Sequence, residues 1–257
     1  MTPQSLSEKH RPRTFDKIVG QSYAVEQIAD FVANPFPQAF LFSGATGVGK
    51  TTLAKVLVQE LGVNQDFDFI HIRSGEMAQD SLGNALSTVR RIGVKDGWKA
   101  ILCDEADTMS AKAATICLSA LEDIQAHEYG KTVIILTTNK PDRFDDRFRD
   151  RCEVIEFESD AKTLYLDAEK LLGDLWWEEG LPGVPPDLST IKGLVVDGAI
   201  SFRRVVRFVE TQSRRPVDLA TIRKMKLAEA RPIAMVSALS VPSIAPTVRP
   251  MVASVIL

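Results

Sequence analysis

The residues from Gly44 to Thr51 read GATGVGKT, which fits the spacing G-x-x-x-x-G-K-[ST] at every fixed position. Glycines at those places let the backbone curl until successive N–H groups point inward at the α- and β-phosphates of a nucleotide. Lys50 adds a positive charge at the β- and γ-phosphates, and the Thr51 hydroxyl can ligate Mg²⁺. Gly44, Ala45, Thr46, Gly47, Val48, Gly49, Lys50, Thr51 and the adjoining Thr52 are therefore the candidate nucleotide-binding residues. A second group, Asp104-Glu105, supplies what the loop lacks. A carboxylate at the end of a neighbouring strand can hold Mg²⁺, directly or through water, while the next one polarises an attacking water. Asp104, with Thr51, is the candidate metal residue and Glu105 the candidate base. Alone, such an acidic pair would more often cap a helix or line a solvated turn; the phosphate loop upstream gives it a chemical reading.

These residues need a frame that brings the two groups together. Ala39-Phe40-Leu41-Phe42 reads as a buried strand entering the loop, and Thr51 to Leu61 carries apolar residues at helical spacing leaving it. Upstream, Tyr23 to Ala33 reads as a helix closed by Asn34-Pro35. Downstream come a strand at Phe67 to Ile72, a helix at Gln79 to Ile92, a strand at Trp98 to Cys103, a helix at Lys112 to Ile124, and strands at Thr132 to Leu136 and Cys152 to Phe157. Strands alternating with helices predict an α/β fold with a parallel sheet covered on both faces. From about Ser159 the pattern turns mostly helical, with a Gly/Pro-rich break at Gly180 to Pro186. The expected organisation is a nucleotide-binding domain over 1–158, a smaller helical domain over 159–215, and a segment over 216–257 with no trustworthy periodicity.

Composition adds limits. The chain has 257 residues, 45% of them hydrophobic and 25% charged, as an ordinary globular protein does. Its 31 Lys and Arg against 34 Asp and Glu leave a net charge of −3, so contact with nucleic acid must be a local patch. Cys103, Cys117 and Cys152 show neither zinc spacing nor a paired framework, and read as small buried hydrophobes in a reducing compartment. No apolar run reaches the roughly 18 residues of a membrane span, and the polar start is unlike a signal peptide. A cytoplasmic protein that is not secreted is expected, in the host cytoplasm if phage-encoded.

Several separate segments together resemble the AAA+ ATPases, and within them the clamp-loader group: replication factor C small subunits, bacterial tau/gamma subunits and phage clamp-loader ATPase subunits. Glu8-Lys9-His10-Arg11-Pro12, followed by Phe15 and Val19-Gly20-Gln21, is similar to the group's N-terminal signature, with His10 where tyrosine is usual. Asp104-Glu105-Ala106-Asp107 fits its acidic motif. The resemblance implies that Val19 and Gly20 lie against the adenine. It implies that Asn139, after Thr137-Thr138, is the sensor 1 residue that orients the attacking water or touches the γ-phosphate. Arg149-Asp150-Arg151-Cys152 is similar to the group's S-R-C motif, with Asp150 replacing serine, so Arg151 is implied as an arginine finger acting in trans on a neighbouring subunit. Arg149 and Arg147 stay open as the reaching residue if Asp150 pairs locally. Ser201-Phe202-Arg203-Arg204 resembles the sensor 2 helix, which puts Arg203 in the lid over the γ-phosphate. Arg73, Arg90, Arg91 and Lys112 are implied as candidate contacts to the DNA backbone.

The likeness covers about residues 5–212. Residues 216–257 are few for the family's helical collar, so a short or vestigial collar is expected there. The resemblance implies ATP and Mg²⁺ as ligands, and other loader subunits, a sliding clamp and primer-template DNA as partners, with no membrane. The leading expectation is an ATP-hydrolysing motor subunit of a clamp loader. An AAA+ remodeller outside clamp loading, such as a helicase loader or chaperone, would share the same ATP site. A non-hydrolysing ATP switch is a third reading, against which Glu105 speaks because such a switch needs no base.

Overall fold

The computed structural model describes residues 5–73, 75, 79–91, 97–126 and 128–214. Its elements run α1 (Leu6–Lys9), α2 (Ser22–Ala33), β1 (Gln38–Ser43), α3 (Lys50–Glu60), β2 (Phe69–Ile72), α4 (Gln79–Arg91), β3 (Lys99–Cys103), α5 (Ala111–Gln125), β4 (Thr132–Thr138), α6 (Asp146–Arg149), β5 (Glu153–Glu156), α7 (Ala161–Glu178), β6 (Val195–Val196), β7 (Ala199–Ile200) and α8 (Phe202–Ser213). The first five strands make one sheet in the order β2-β3-β4-β1-β5, and every pairing in it is parallel. This is the expected α/β arrangement, with helical structure following it.

Alternation along the strands divides the core in two. Ala39, Leu41, Ile101, Cys103, Ile134 and Leu136 face one way, under α4 and α5. Phe40, Phe42, Ala100, Leu102, Val133 and Ile135 face the other, under α2 and α3. β4 is buried along its whole length, as befits a strand with helices on both sides of the sheet. Cys103, Cys117 and Cys152 all lie in the first core as free thiols. Burial pushes Cys103 and Cys152 up to about 12, so they pack as hydrophobes. A third core joins α7 and α8 through Leu164, Leu172, Val205 and Val209, and takes in Leu6 of the N-terminal arm.

Local chemistry explains the helix starts. Asp160 accepts from the N–H groups of Lys162 and Thr163 and so caps α7, and Ser110 accepts from Ala113 N–H at the start of α5. α7 ends before Gly180, which takes a left-handed φ of 63°.

Two readings of the sequence need correction. The strand expected from Phe67 begins at Phe69, because Asn64 accepts from the N–H of Asp66 through its side chain and of Asp68 through its carbonyl, turning the chain there. The β6–β7 hairpin was not expected. Asp197 and Gly198 turn it, both at positive φ, and Asp-Gly between short apolar pairs was the signal for it. Residues 216–257 lie outside the described residues.

Candidate nucleotide site

β1, β4 and β3 are consecutive in the sheet, with Ser43 level with Thr138 and Cys103 level with Leu136. Their carboxyl ends therefore deliver the phosphate loop, Asn139 and Asp104-Glu105 to one place, where ligands of open parallel sheets bind. The loop glycines serve different ends. Gly47, at φ 86°, is crossed so closely that a Cβ there would lie 2.2 Å from Ser201 Oγ and 3.2 Å from Arg203 Cβ. Gly49, at φ 116°, has nothing near it and acts through its backbone angle, immediately before α3. The opening N–H groups of α3 have no acceptor inside the helix and suit an anion.

Lys50 is buried, and its ammonium donates to Gly44 O at 2.8 Å, Ala45 O at 2.7 Å and Asn139 Oδ1 at 2.8 Å. All three of its protons are thus engaged. Burial draws its pKa down to about 8, against the attraction of Asp104 and with the repulsion of Arg203. Thr51 donates to Asp104 Oδ1 at 2.8 Å, and Thr137 donates to the same oxygen at 2.6 Å. Thr137 in turn accepts from Glu105 N–H at 3.0 Å. His71 Nε2 is buried without a hydrogen-bond partner and stands 3.7 Å from Asp104 Oδ2. Burial alone would raise the Asp104 carboxyl; the imidazole beside it and the Thr137 and Thr51 hydroxyls reverse that and hold it at about 2. Glu105 takes φ 55° and ψ 51°, a left-handed backbone for a residue with a side chain, of the kind concentrated at functional sites. Beyond it, Thr138 donates to Asp107 Oδ1 and Arg143 donates to Asp107 O, tying the acidic turn to the end of β4.

Asp104, Glu105, Thr137 and Asn139 line one end of a cavity of about 1070 Å³ that also takes in Thr46 to Thr52 and Arg203. Away from these groups the lining carries an apolar end, Ile18 and Val19 of the arm, Leu171 and Leu175 of α7, and Phe202 and Val206 of α8, bordered by the charged Lys17, Lys170, Asp174 and Arg207. A polar end for phosphates and an apolar end for a flat ring fit a nucleotide. Among the described residues, no three His, Cys, Asp or Glu gather as a metal site. Thr51 and Asp104 instead offer two oxygens, a donor set suited to Mg²⁺ that shares its ligands with phosphates and water.

Not every expected residue lines this cavity. Gly44 and Ala45 stand behind it and hold Lys50 by their carbonyls. Gly20, at φ 72°, packs on α7 and α8, where a Cβ would come within 2.7 Å of Phe202 Cζ and 2.9 Å of Leu164 Cδ2. Arg203 reaches the loop through its backbone as well, its N–H donating to Gly47 O at 3.4 Å. Arg151 precedes β5, at the end of the sheet opposite the loop, and donates to Glu122 Oε1 at 2.6 Å and Arg147 O at 2.7 Å. Asp145, not Asp150, pairs with Arg147, and Arg149 donates to Pro141 O. Arg73 and Lys112 are exposed and away from the cavity. Arg90 and Arg91 lie on α4, their side chains outside the described residues.

Sequence reasoning missed Thr137, His71, Arg11, Lys170 and Asp174. Arg11 donates to Thr52 Oγ1 at 3.4 Å, and Lys170 and Asp174 enter the cavity from α7. A threonine at the end of an apolar strand is a usable signal for Thr137; one-turn spacing on a polar helix face is none for Lys170 and Asp174.

The AAA family, ATPases associated with various cellular activities, matches residues 40–159. Residues 40–159 form an AAA ATPase domain. The chain is 29% identical to a replication factor C small subunit of Archaeoglobus fulgidus over 88% of its own length and 69% of the relative's. It is 32% identical to the replication factor C small subunit of Staphylothermus marinus, covering 59% of itself and 46% of that protein. A DNA polymerase III subunit gamma of Buchnera aphidicola is 28% identical, with 59% and 47% covered. The chain thus spans about half the length of the latter two. Among solved structures, the Thermotoga maritima RuvB Holliday junction branch migration motor aligns with a TM-score of 0.60 at 16% identity, over 84% of this chain and 72% of that one. At that identity the likeness speaks for the fold alone. Among the described residues no helix is long and apolar enough to cross a membrane.

Proposed function

We propose that this AAA chain is an ATP-hydrolysing motor subunit of a DNA polymerase sliding-clamp loader, one that opens the clamp and places it on primer-template DNA. The observation that carries the ATPase part of the reading is the bonded set across β1, β4 and β3, in which Lys50 meets Asn139 and Thr51 meets Asp104. ATP is the substrate. Its phosphates take the N–H groups of the loop and the Lys50 ammonium, which exchanges carbonyl and amide acceptors for charged oxygens. Thr51 and Asp104 would hold Mg²⁺, which when bound neutralises charge on the phosphates. The low pKa of Asp104 keeps it anionic for that task. Glu105 polarises a water that Asn139 orients. As the water oxygen bonds to the γ-phosphorus, the bridging bond to the β-phosphate breaks and Glu105 takes the proton. Arg203 adds charge from the lid.

Arg151 stands at the far end of the sheet from its own loop, so it is assigned to the site of a neighbouring subunit. There it would leave Glu122 to neutralise charge on the transferred phosphoryl group. A trans finger makes hydrolysis a property of an assembly, and supports partner subunits that share DNA and clamp. Arg73, Arg90, Arg91 and Lys112 are proposed to follow the DNA backbone by charge, without reading sequence. The names of the relatives, replication factor C small subunit and DNA polymerase III subunit gamma, support this assignment over remodelling outside replication.

The test is steady-state ATP hydrolysis with and without primer-template DNA, a candidate clamp and partner subunits. Joint stimulation by DNA and clamp is expected. Turnover indifferent to both would move the chain to the remodellers, and absent turnover in every mixture would leave the switch.

A further inference from the structure

The N-terminal arm touches the ATP site at one end and the lid at the other. Arg11, held by Glu8 through Nε and Nη2 at 3.1 and 2.7 Å, reaches Thr52 on α3. Its neighbour His10 turns the opposite way, into the carboxyl end of α7. There Nδ1 lies 3.0 Å from Glu178 Oε2 and Nε2 bonds Glu179 Oε1. Lys9 donates to the same Glu179 oxygen at 2.7 Å. The contact is sheltered: the His10 and Glu179 side chains are 13% and 11% exposed. Leu6, one turn earlier, is buried in the lid core. Past Pro12 the arm continues to Ile18 and Val19, which line the apolar end of the cavity with Leu171 and Leu175 of α7, Val19 packing against the same core as Leu175.

We infer that His10 and Glu179, backed by Lys9 and Glu178, form a latch that fastens the arm to the lid and closes the apolar end of the nucleotide cavity. Both are positioning residues: His10 also lines the cavity, but its ring nitrogens are taken up by Glu178 and Glu179, and each residue acts by holding Val19, Arg11 and α7 in register around the nucleotide. An open latch leaves the phosphate end intact but lets the two walls of the base compartment separate. Nucleotide affinity then falls by the share of time the compartment is open. The inference rests on the ATP-binding part of the reading above and not on its clamp-loading part.

The experiment is equilibrium binding of a fluorescent ADP analogue with Mg²⁺ to the full chain, which needs no trans residue. H10A and E179A are each expected to weaken binding about tenfold, within the range of ordinary coupling between sites. The double variant should bind no worse than either single one, because opening the latch twice costs nothing more. Singles within twofold of the wild type would overturn the latch. So would losses that multiply in the double variant, which is how two independent structural defects behave. Thermal melting without nucleotide checks folding; if either alanine variant fails to fold, E179Q, which keeps the shape and removes the charge, takes its place. A wild-type chain that binds no ADP would remove the ATP reading and the latch together. Latch behaviour without stimulation by DNA and clamp would leave the latch standing and remove the loader.

Discussion

At the phosphate end of the cavity, the functional side chains sit within two residues of a strand's end or in the first turn of α3, and bonds of 2.6 to 3.0 Å join them. At the apolar end the walls come from the arm, α7 and α8, far apart in the chain, and meet by packing and by the ion pairs at Glu179. The first end is built from hydrogen-bonded groups that chemistry restricts to a few residue types. The second needs only apolar surface of the right shape, which many residues provide. Substitutions at the phosphate end should therefore strike turnover, and substitutions at the other end should strike affinity and stability.

The largest effect tests the edge of that comparison, since Arg151 belongs to neither end of its own cavity. Arg151→Ala in every subunit of an assembly should lower turnover by about 10³ to 10⁵. Mixed with wild type, it should depress the turnover of the mixture; a mixed assembly with undiminished turnover would exclude a trans role. Next comes Glu105→Gln, which keeps the shape and removes the base. Turnover should fall by about 10² to 10⁴ while ATP remains bound. Equal hydrolysis by that variant would take the base role from Glu105.

The same contrast decides what the sequence made legible. The strand, loop and helix around Lys50, the strand before Asp104 and the parallel sheet all follow from local patterns, because each spans a few residues and carries its own period. That Lys50 bonds Asn139 is a consequence of β1 and β4 being neighbours, and alternation does not state strand order. Thr137 entered the reading only as the approach to Asn139, though a buried hydroxyl must find partners and here finds Asp104 and Glu105. The apolar end left less trace. Lys170 and Asp174 are ordinary surface residues until α7 folds over the loop, and His10 looks like a departure from the family signature until Glu179 stands beside it. The Asp197-Gly198 hairpin, by contrast, was readable and missed.

Gly47 joins the two ends, and should respond in both ways. In Gly47→Ala the new Cβ meets Ser201 Oγ at 2.2 Å and inherits a φ of 86°. The backbone strain alone costs roughly 1 to 3 kcal/mol, and the lid must lift from the loop. Slower turnover, weaker nucleotide binding and a lower melting temperature are expected. Adding Ser201→Gly removes the clash and leaves the φ, so it should restore part of the affinity; no recovery would mean that the backbone, not the lid contact, governs this position. Gly20→Ala reaches only the apolar end, where its Cβ would crowd Phe202 and Leu164. It should cost roughly 1 to 3 kcal/mol of stability, read as a fall in urea midpoint, and a midpoint unchanged would show that the arm yields there freely.

The smallest effect is a pH dependence at the latch. Burial alone would raise the Glu179 carboxyl, but the bonds from Lys9 and His10 outweigh it and hold its pKa below the ordinary value of 4.5. A carboxyl lowered in the folded chain contributes stability that is fully present above its unfolded pKa and is lost as pH falls through the folded one. Wild type should therefore exceed Glu179→Gln in urea midpoint at about pH 6, and the gap should close as the medium is acidified below the ordinary carboxyl range. The phosphate end contributes nothing to this difference, because Asp104 and its threonine donors are present in both proteins. A gap that stayed constant with pH would mean that Glu179 holds the arm by shape and neutral hydrogen bonding, and that the charge on the latch is idle.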